Sequence, residues 1–449
     1  MVNISNERIS FYSKINTISL VLVPIVNQYK VFPLTFLQIY ALVGVIFGLI
    51  YTRTLTFRTK LLMYIVYTVI VSSVGLFWIK NYDTARFFFR IIGFVIVTTY
   101  FYVFAPRFIN LSYLKSIYSK AVIFITIAFF VQFILYKIFN LPTMLIIPNT
   151  ILNYNDDINS NAFIISTLGR INTGYYYRPS SFFIEPVYQC MYSLPWLSLK
   201  LFSDDINTEK NLVFPLIVSV AMILTTSTMG MLGSIILWAI FIVRLGVNGS
   251  KKMRKAIFLT SPILIIATIG LIKQPDILIS VSIKVKELRN LDEASSLTWR
   301  LLRGFESYKK MGIFQQIFGC GYGNITDYFK AINLITKYDA NLEVISYMSG
   351  IYTMLCSIGL LGVCIYFSYF FSFIFQKKIC FETKMLFICW VMMMGSAAVF
   401  DTDRYFLCTV LILCTSMNSR ENISPNYKVA KCSNDKLQMD NTQREVLYL

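Results

Sequence analysis

Arginines and carboxylates gather at a few points in an otherwise oily chain, and those points are where chemistry is available. Arg300 and Arg303 stand three apart in SSLTWRLLRGFESYKKMG, residues 295–312. Ser295 or Ser296 is placed to cap a helix beginning near Leu297, and Gly312 is placed to stop it. On that helix Leu301, Leu302, Phe305 and Tyr308 share one face, while Arg300, Arg303, Ser307 and Lys310 share another. The basic stripe suits an anionic ligand, and it equally suits a solvated charged face. The apolar face suits a membrane surface or a helix bundle.

A second group lies in GYYYRPSSFFIEPVYQCMY, residues 174–192. Arg178 precedes Pro179, which biases its backbone to extended geometry. Glu185 precedes Pro186, a residue suited to the first helical position, so Glu185 falls at a helix N-terminus. A carboxylate there is favoured by the helix dipole; it is also available as a ligand or base. Arg86 and Arg90 lie four apart on one face of an apolar stretch. Arginine inside a membrane helix is costly and marks function by default, although Arg86 is close enough to the interface to snorkel. GCGYGN, residues 319–324, is not GxGxxG; it reads as a tight loop or a backbone anion nest. Asp401 and Asp403 form a DTD next to Arg404, which reads as a local Asp–Arg pair. No metal and no cofactor is expected.

The elements that must position these residues are membrane helices. Of 449 residues, 56% are hydrophobic and 14% charged, and the mean hydropathy is +0.62. Apolar runs near the length that crosses a bilayer recur throughout. The expected spans are 12–29, 33–52, 60–79, 85–105, 119–139, 185–202, 211–228, 230–245, 256–272, 344–375, 384–400 and 404–418. The span at 344–375 is long enough to be one tilted helix or a re-entrant piece plus a helix. The first apolar run, Ile15–Val26, is short and lacks an A-x-A cleavage site, so it reads as a retained helix. The expectation is an all-α polytopic membrane protein of about twelve transmembrane helices, forming one domain over residues 1–418, with a polar, flexible tail at 419–449.

Charge sets the orientation. With the N-terminus inside, the cytoplasmic segments hold clusters such as Arg53, Arg58 and Lys60, or Arg244, Lys251, Lys252, Arg254 and Lys255. The short outside loops hold only Lys30, Lys80 and Arg404. That contrast places both termini in the cytoplasm and two long loops, about 140–184 and 273–343, outside. The same rule explains much of the net charge of +18, so no nucleic-acid partner is expected. The chain has no histidine, which excludes a Ser-His-Asp triad, a Cys-His dyad and HExxH zinc chemistry. Its nine cysteines show no CxxC, and only Cys320 lies in the larger loop, so no disulfide framework is expected. No internal repeat is evident, which speaks against an inverted-repeat transporter.

RPSSFFIEP at 178–186, LTTSTMG at 224–230, SSLTWR followed by GCGYGN, and Asn341 ahead of a long helix bearing Gly350, Gly359 and Gly362 resemble the Wzy-type O-antigen and capsular polysaccharide polymerases. Arg303 and Gly319 also match that family's Arg-x15-Gly loop pattern. O-antigen ligases share the architecture but typically carry a histidine in the large loop. The resemblance implies a GT-C-like, metal-independent glycosyltransferase in the bacterial inner membrane. It would join undecaprenyl-diphosphate-linked repeat units, one serving as donor and one as acceptor, alongside a flippase and a chain-length co-polymerase. A departing diphosphate needs charge stabilisation, which preorganised arginines supply. On this reading Arg178, Arg300 and Arg303 hold the leaving group and Glu185 is the base. Arg90 touches the lipid diphosphate, Asn341 orients a sugar, and Tyr177, with Tyr175 and Tyr176, stacks on sugar faces. The alternatives are a ligase-like glycosyltransferase and a lipid-linked oligosaccharide flippase or transporter.

Overall fold

The structure, a computed structural model, describes residues 6–31, 34–52, 57–79, 83–141, 143, 145, 177–203, 212–248, 296–336, 348–375, 379–396 and 402–421. Among these the chain is helical, apart from one short antiparallel pairing of β1 (Lys30–Val31) with β2 (Leu34–Thr35). Helices α1 (Asn6–Val26), α2 (Phe36–Thr52) and α3 (Thr59–Gly75) come first, and α3 ends in a 3-10 turn, Leu76–Trp78. Helix α4 (Thr84–Thr99) passes through a π-helical turn, Tyr100–Phe104, into α5 (Ala105–Phe108). Then come α6 (Leu111–Phe139), α7 (Pro186–Phe202), α8 (Val213–Leu224) and α9 (Thr228–Asn248). The polar segment forms α10 (Ser296–Lys310), α11 (Ile313–Phe318) and α12 (Ile325–Ala331). The chain closes with α13 (Gly350–Ile374), α14 (Phe381–Ser396) and α15 (Asp403–Glu421).

A helix therefore stands at every expected span that falls within the described residues; 256–272 lies outside them. Among the described residues five helical stretches are long and apolar enough to cross a membrane: Thr59–Trp78, Thr84–Phe108, Leu111–Phe139, Thr228–Leu245 and Gly350–Ile374. Local chemistry fixes several starts. The Asp83 carboxylate accepts from the Arg86 amide at 3.1 Å, and the Asn110 side chain accepts from the Tyr113 amide at 3.1 Å. The Asn110 cap starts α6 well ahead of its apolar run. Pro186 opens α7 at the position where its missing N–H costs nothing.

Burial divides the bundle into a centre and a rim. Helix α7 and the described side chains of α15 are almost wholly buried. The rim helices instead turn apolar stripes outward, such as Phe124, Ile127, Val131, Ile134 and Ile138 on α6. A contiguous outward stripe of this kind suits hydrocarbon and not water. Cations collect at one end of the bundle. Arg58 lies 4.0 Å over the Phe373 ring, Lys60 donates to the Ser368 carbonyl at 3.2 Å, Lys115 pairs with Glu382 at 2.6 Å, and Arg244 lies 4.1 Å over the Phe381 ring. The N-termini of α7, α13 and α15 lie at the other end.

Helix α13 is broken at Gly359, whose φ of 65° and ψ of 178° leave the helix. A break strands carbonyls that the next turn would have bonded. The GCG of residues 319–321 takes them: the Cys320 amide donates to the Cys356 carbonyl at 2.9 Å and the Gly321 amide to the Ser357 carbonyl at 2.8 Å. The Tyr67 hydroxyl, from α3, lies 3.0 Å from both the Phe318 and Ile358 carbonyls and donates there. Gly319, Gly321 and Gly323 have φ of 91°, 100° and 73°, a region open to glycine. The long polar segment thus inserts a backbone plug into the bundle.

Candidate functional site

The segment 177–186 is laid across the end of the bundle by two glutamines. Gln132 on α6 accepts from the Ser181 amide at 2.7 Å and donates to the Ser181 carbonyl at 3.3 Å. Gln28, just past α1, accepts from the Ile184 amide at 3.0 Å and donates to the Phe182 carbonyl at 2.5 Å. Each amide side chain acts as a strand neighbour would, satisfying main-chain groups that the buried segment cannot bond by itself. Neither glutamine was among the expected site residues. Their signal in the sequence is a polar amide at the end of an apolar run, for Gln28, and in the middle of one, for Gln132.

Within that segment Arg178 is half-buried, and its Nε donates to the Thr225 carbonyl at 2.9 Å. Thr225 sits in the turn between α8 and α9. Its hydroxyl donates to the Met222 carbonyl at 2.6 Å and accepts from the Ser227 amide at 3.2 Å. The Cys190 sulfur on α7 lies 3.3 Å from the same hydroxyl, and Arg178 also acts electrostatically on it. Gly230 permits this approach, because a Cβ there would lie 2.5 Å from the Cys190 sulfur.

Glu185 is half-buried at the N-cap of α7 with extended backbone, and its carboxylate makes no capping hydrogen bond. Tyr177 is 2% exposed; its ring packs 4.9 Å from that of Tyr136, and its hydroxyl donates to the Thr143 carbonyl. Burial pushes its phenol up to about 12. The ring face expected to stack on sugar is covered by protein, so Tyr177 anchors the residue that follows it. Tyr175, Tyr176 and Asn341 lie outside the described residues.

Helix α10 forms as its pattern predicts, but its orientation overturns one reading. Arg300 is 9% exposed and Arg303 1%, with Ser307 also buried, whereas Phe305 is 53% exposed. The basic stripe is not a solvated face: Arg300, Arg303 and Ser307 turn into the protein, while Phe305 is exposed and Leu301, Leu302 and Tyr308 are half-buried. Gly304 brings α10 close, since a Cβ there would lie 2.6 Å from the Tyr352 side chain. The Arg300 carbonyl accepts from the Ser349 amide at 3.0 Å, tying α10 to the start of α13. Lys310 points away, paired with Glu306 at 2.9 Å and bonded to the Ile335 carbonyl at 2.8 Å.

Arg300 acts electrostatically on Tyr405, in the first turn of α15. Beside it Arg404, 5% exposed, places its guanidinium carbon 3.8 Å over the ring of Tyr188, in the first turn of α7. The first turns of the two most buried helices therefore meet through Arg404. Cys190, with its Arg178 neighbour, lies on the same stretch of α7. Arg178 thus reaches α7 by way of Thr225 and Cys190, and Arg404 reaches it at Tyr188. The polar atoms Thr402 Oγ1, Asp403 Oδ2, Arg404 Nε, Tyr405 Oη, Gln189 Oε1 and Ser349 Oγ are buried without a hydrogen-bond partner among the described residues. Buried polar atoms are rarely left so, and a cluster of them marks a place where a ligand or water completes the bonding. Helix N-termini and arginines together favour an anion.

Arg90 lies apart from this group, where it donates to the Gly323 carbonyl and so holds the GCGYGN loop. The loop itself is no anion nest. Its Gly319, Cys320, Gly321, Tyr322 and Asn324 amides all bond within the protein, that of Tyr322 to the Ser72 hydroxyl at 2.9 Å. Among the described residues no cluster of three or more Cys, Asp or Glu could hold a metal. No family model matches the chain, and no curated protein matches it.

Proposed function

We propose that this protein is a polymerase of lipid-linked oligosaccharides. On this reading about twelve helices, arranged in a GT-C-like manner, span the bacterial inner membrane with both termini cytoplasmic. The site opens on the outer face, and the substrates are glycans carried on undecaprenyl diphosphate. The observation that carries the reading is that Arg178, Arg300 and the first turns of α7 and α15, bridged by Arg404, lie at the bundle end opposite Arg58, Lys60, Lys115 and Arg244.

A lipid diphosphate enters such a site from the bilayer, phosphate outermost. Arg178 and Arg300, both tied to ordered elements, meet the charge that grows on the diphosphate as the glycosidic carbon leaves it. Preorganised donors of this kind need no rearrangement when the charge appears. Glu185, at the same end with its carboxylate unengaged in capping, takes the proton from the acceptor hydroxyl. Arg303, nearly sealed from solvent, supports the positive field behind them. A chain-length co-polymerase and a flippase are the expected partners.

Deleting the gene and resolving the surface glycan by size tests the reading. Capped single repeat units with no long chains are the expected result. Long chains that stay off their final acceptor would indicate a ligase instead, and lipid-linked units stranded on the cytoplasmic leaflet a flippase.

A further inference from the structure

Arg404 was expected to be the structural partner of its neighbour Asp403, and the two do form an ion pair, one without a hydrogen bond. The closest approach, from Arg404 Nη1 to Asp403 Oδ1, is 3.7 Å, beyond hydrogen-bonding distance. The Arg404 Nε is buried and meets no partner among the described residues. Burying an arginine costs heavily unless its donors are bonded. Stacking on Tyr188 offsets part of that cost through the ring face, and leaves Nε, an in-plane donor at the edge of the guanidinium, unspent.

That donor lies where two helix N-termini meet. Arg404 bridges the first turns of α7 and α15, where the dipoles of two nearly sealed helices add to its charge. Asp403, in the first turn of α15, is paired with Arg404 and bonded by the Asn27 side chain, while its Oδ2 lacks a partner among the described residues. Tyr405 and Gln189, one position on from Arg404 and Tyr188, also carry a buried hydroxyl and a buried amide oxygen without a partner among the described residues. A hydroxyl donates to a phosphoryl oxygen; an amide oxygen accepts from the hydroxyl of an attached sugar.

We propose that Arg404 is a binding residue for a phosphoryl group, contacting the substrate diphosphate from the α15 side while Arg178 contacts it from the α8–α9 turn. The assignment rests on the lipid-linked donor proposed above. Tyr188 is its positioning residue, fixing the plane of the guanidinium so that its fork faces the anion. A guanidinium held this way binds two oxygens of one phosphoryl group, which the point charge of a lysine does not.

The test measures binding of inorganic diphosphate, and of undecaprenyl diphosphate in nanodiscs, to the purified full-length protein and to Arg404→Ala, Arg404→Lys and Tyr188→Leu. Arg404→Ala is expected to weaken both ligands at least tenfold, with Lys restoring part of the loss. Tyr188→Leu keeps the charge, and a smaller loss is expected. Tightening of the lipid ligand alone by the bilayer would identify the lipid as the source of the phosphoryl group. Melting temperatures in detergent separate folding from binding: a folded Arg404→Ala that binds both ligands as the parent does overturns the proposal. Should Arg404→Ala fail to fold, Arg404→Lys and Tyr188→Leu carry the test, and parental affinity in both overturns it. A deletion strain that keeps long glycan chains, with Arg404-dependent diphosphate binding intact, refutes the polymerase reading and leaves the assignment of Arg404 standing.

Discussion

Gln132 pairs with both main-chain groups of Ser181, reaching them from a helix 49 positions away in sequence. Ser181 has φ of 54°, unusual for a residue with a side chain, so this pairing holds a backbone shape the segment would not keep alone. Gln132→Ala strands a buried amide, at about 1–3 kcal/mol. The expected outcome is a lower melting temperature in detergent together with lost chain extension, because Arg178 is displaced. Melting and activity both at parental levels would refute the clamp.

The two arginines proposed to face the diphosphate give the sharpest contrast. Arg178→Ala and Arg300→Ala are each expected to slow chain extension roughly a hundred- to a thousandfold, the usual cost of one lost transition-state donor. Lysine is expected to rescue partly. Lys309→Ala and Lys310→Ala, at the exposed end of α10, are expected to change little. The glycan ladder, read at matched protein levels in the membrane, checks this. Equal losses from all four would mean a diffuse electrostatic surface.

Topology is checked independently. Single cysteines introduced near Asn155 and at Lys309 in a cysteine-free background are expected to react with an impermeant thiol reagent from outside. A cytoplasmic location for Lys309 would remove α10 from the proposed site.

The break in α13 predicts a glycine contrast. Gly359→Ala places a Cβ 2.3 Å from the Ile317 carbonyl oxygen, on a backbone angle that L residues avoid. The angle alone costs about 1–3 kcal/mol, before any clash. Gly395→Ala, with nothing within 4 Å of the new Cβ, is the neutral comparison. Thermal unfolding of the two variants should separate them clearly.

The helices were legible because each apolar run must satisfy its backbone internally, which leaves a continuous signature. The start of α7 at Pro186 was legible for the same local reasons. The pattern of α10 gave its two faces but not their directions. Lipid is as apolar as a protein core, so a membrane chain is free to turn arginines inward and Phe305 outward. The break at Gly359 was hidden because glycine is ordinary in membrane helices, and what ends the helix is a partner some forty residues upstream. Arg404 was obscured by its neighbour: the sequence suggests the pair with Asp403, which forms, and gives no sign of the Nε that the pair leaves unused.

The plug at residues 319–321 has a consequence for engineering. A long polar segment between apolar helices invites exchange between related chains to alter specificity. Here such an exchange would fail unless it carried a matching socket. The segment is keyed to Ser72 and Gly75 on α3, Arg90 on α4 and the gap at Gly359, so its length is as fixed as that of a core strand. Inserting a single residue between Phe318 and Asn324 would shift which amides meet the open carbonyls of α13. The portion of the chain that looks most interchangeable is a part of the frame.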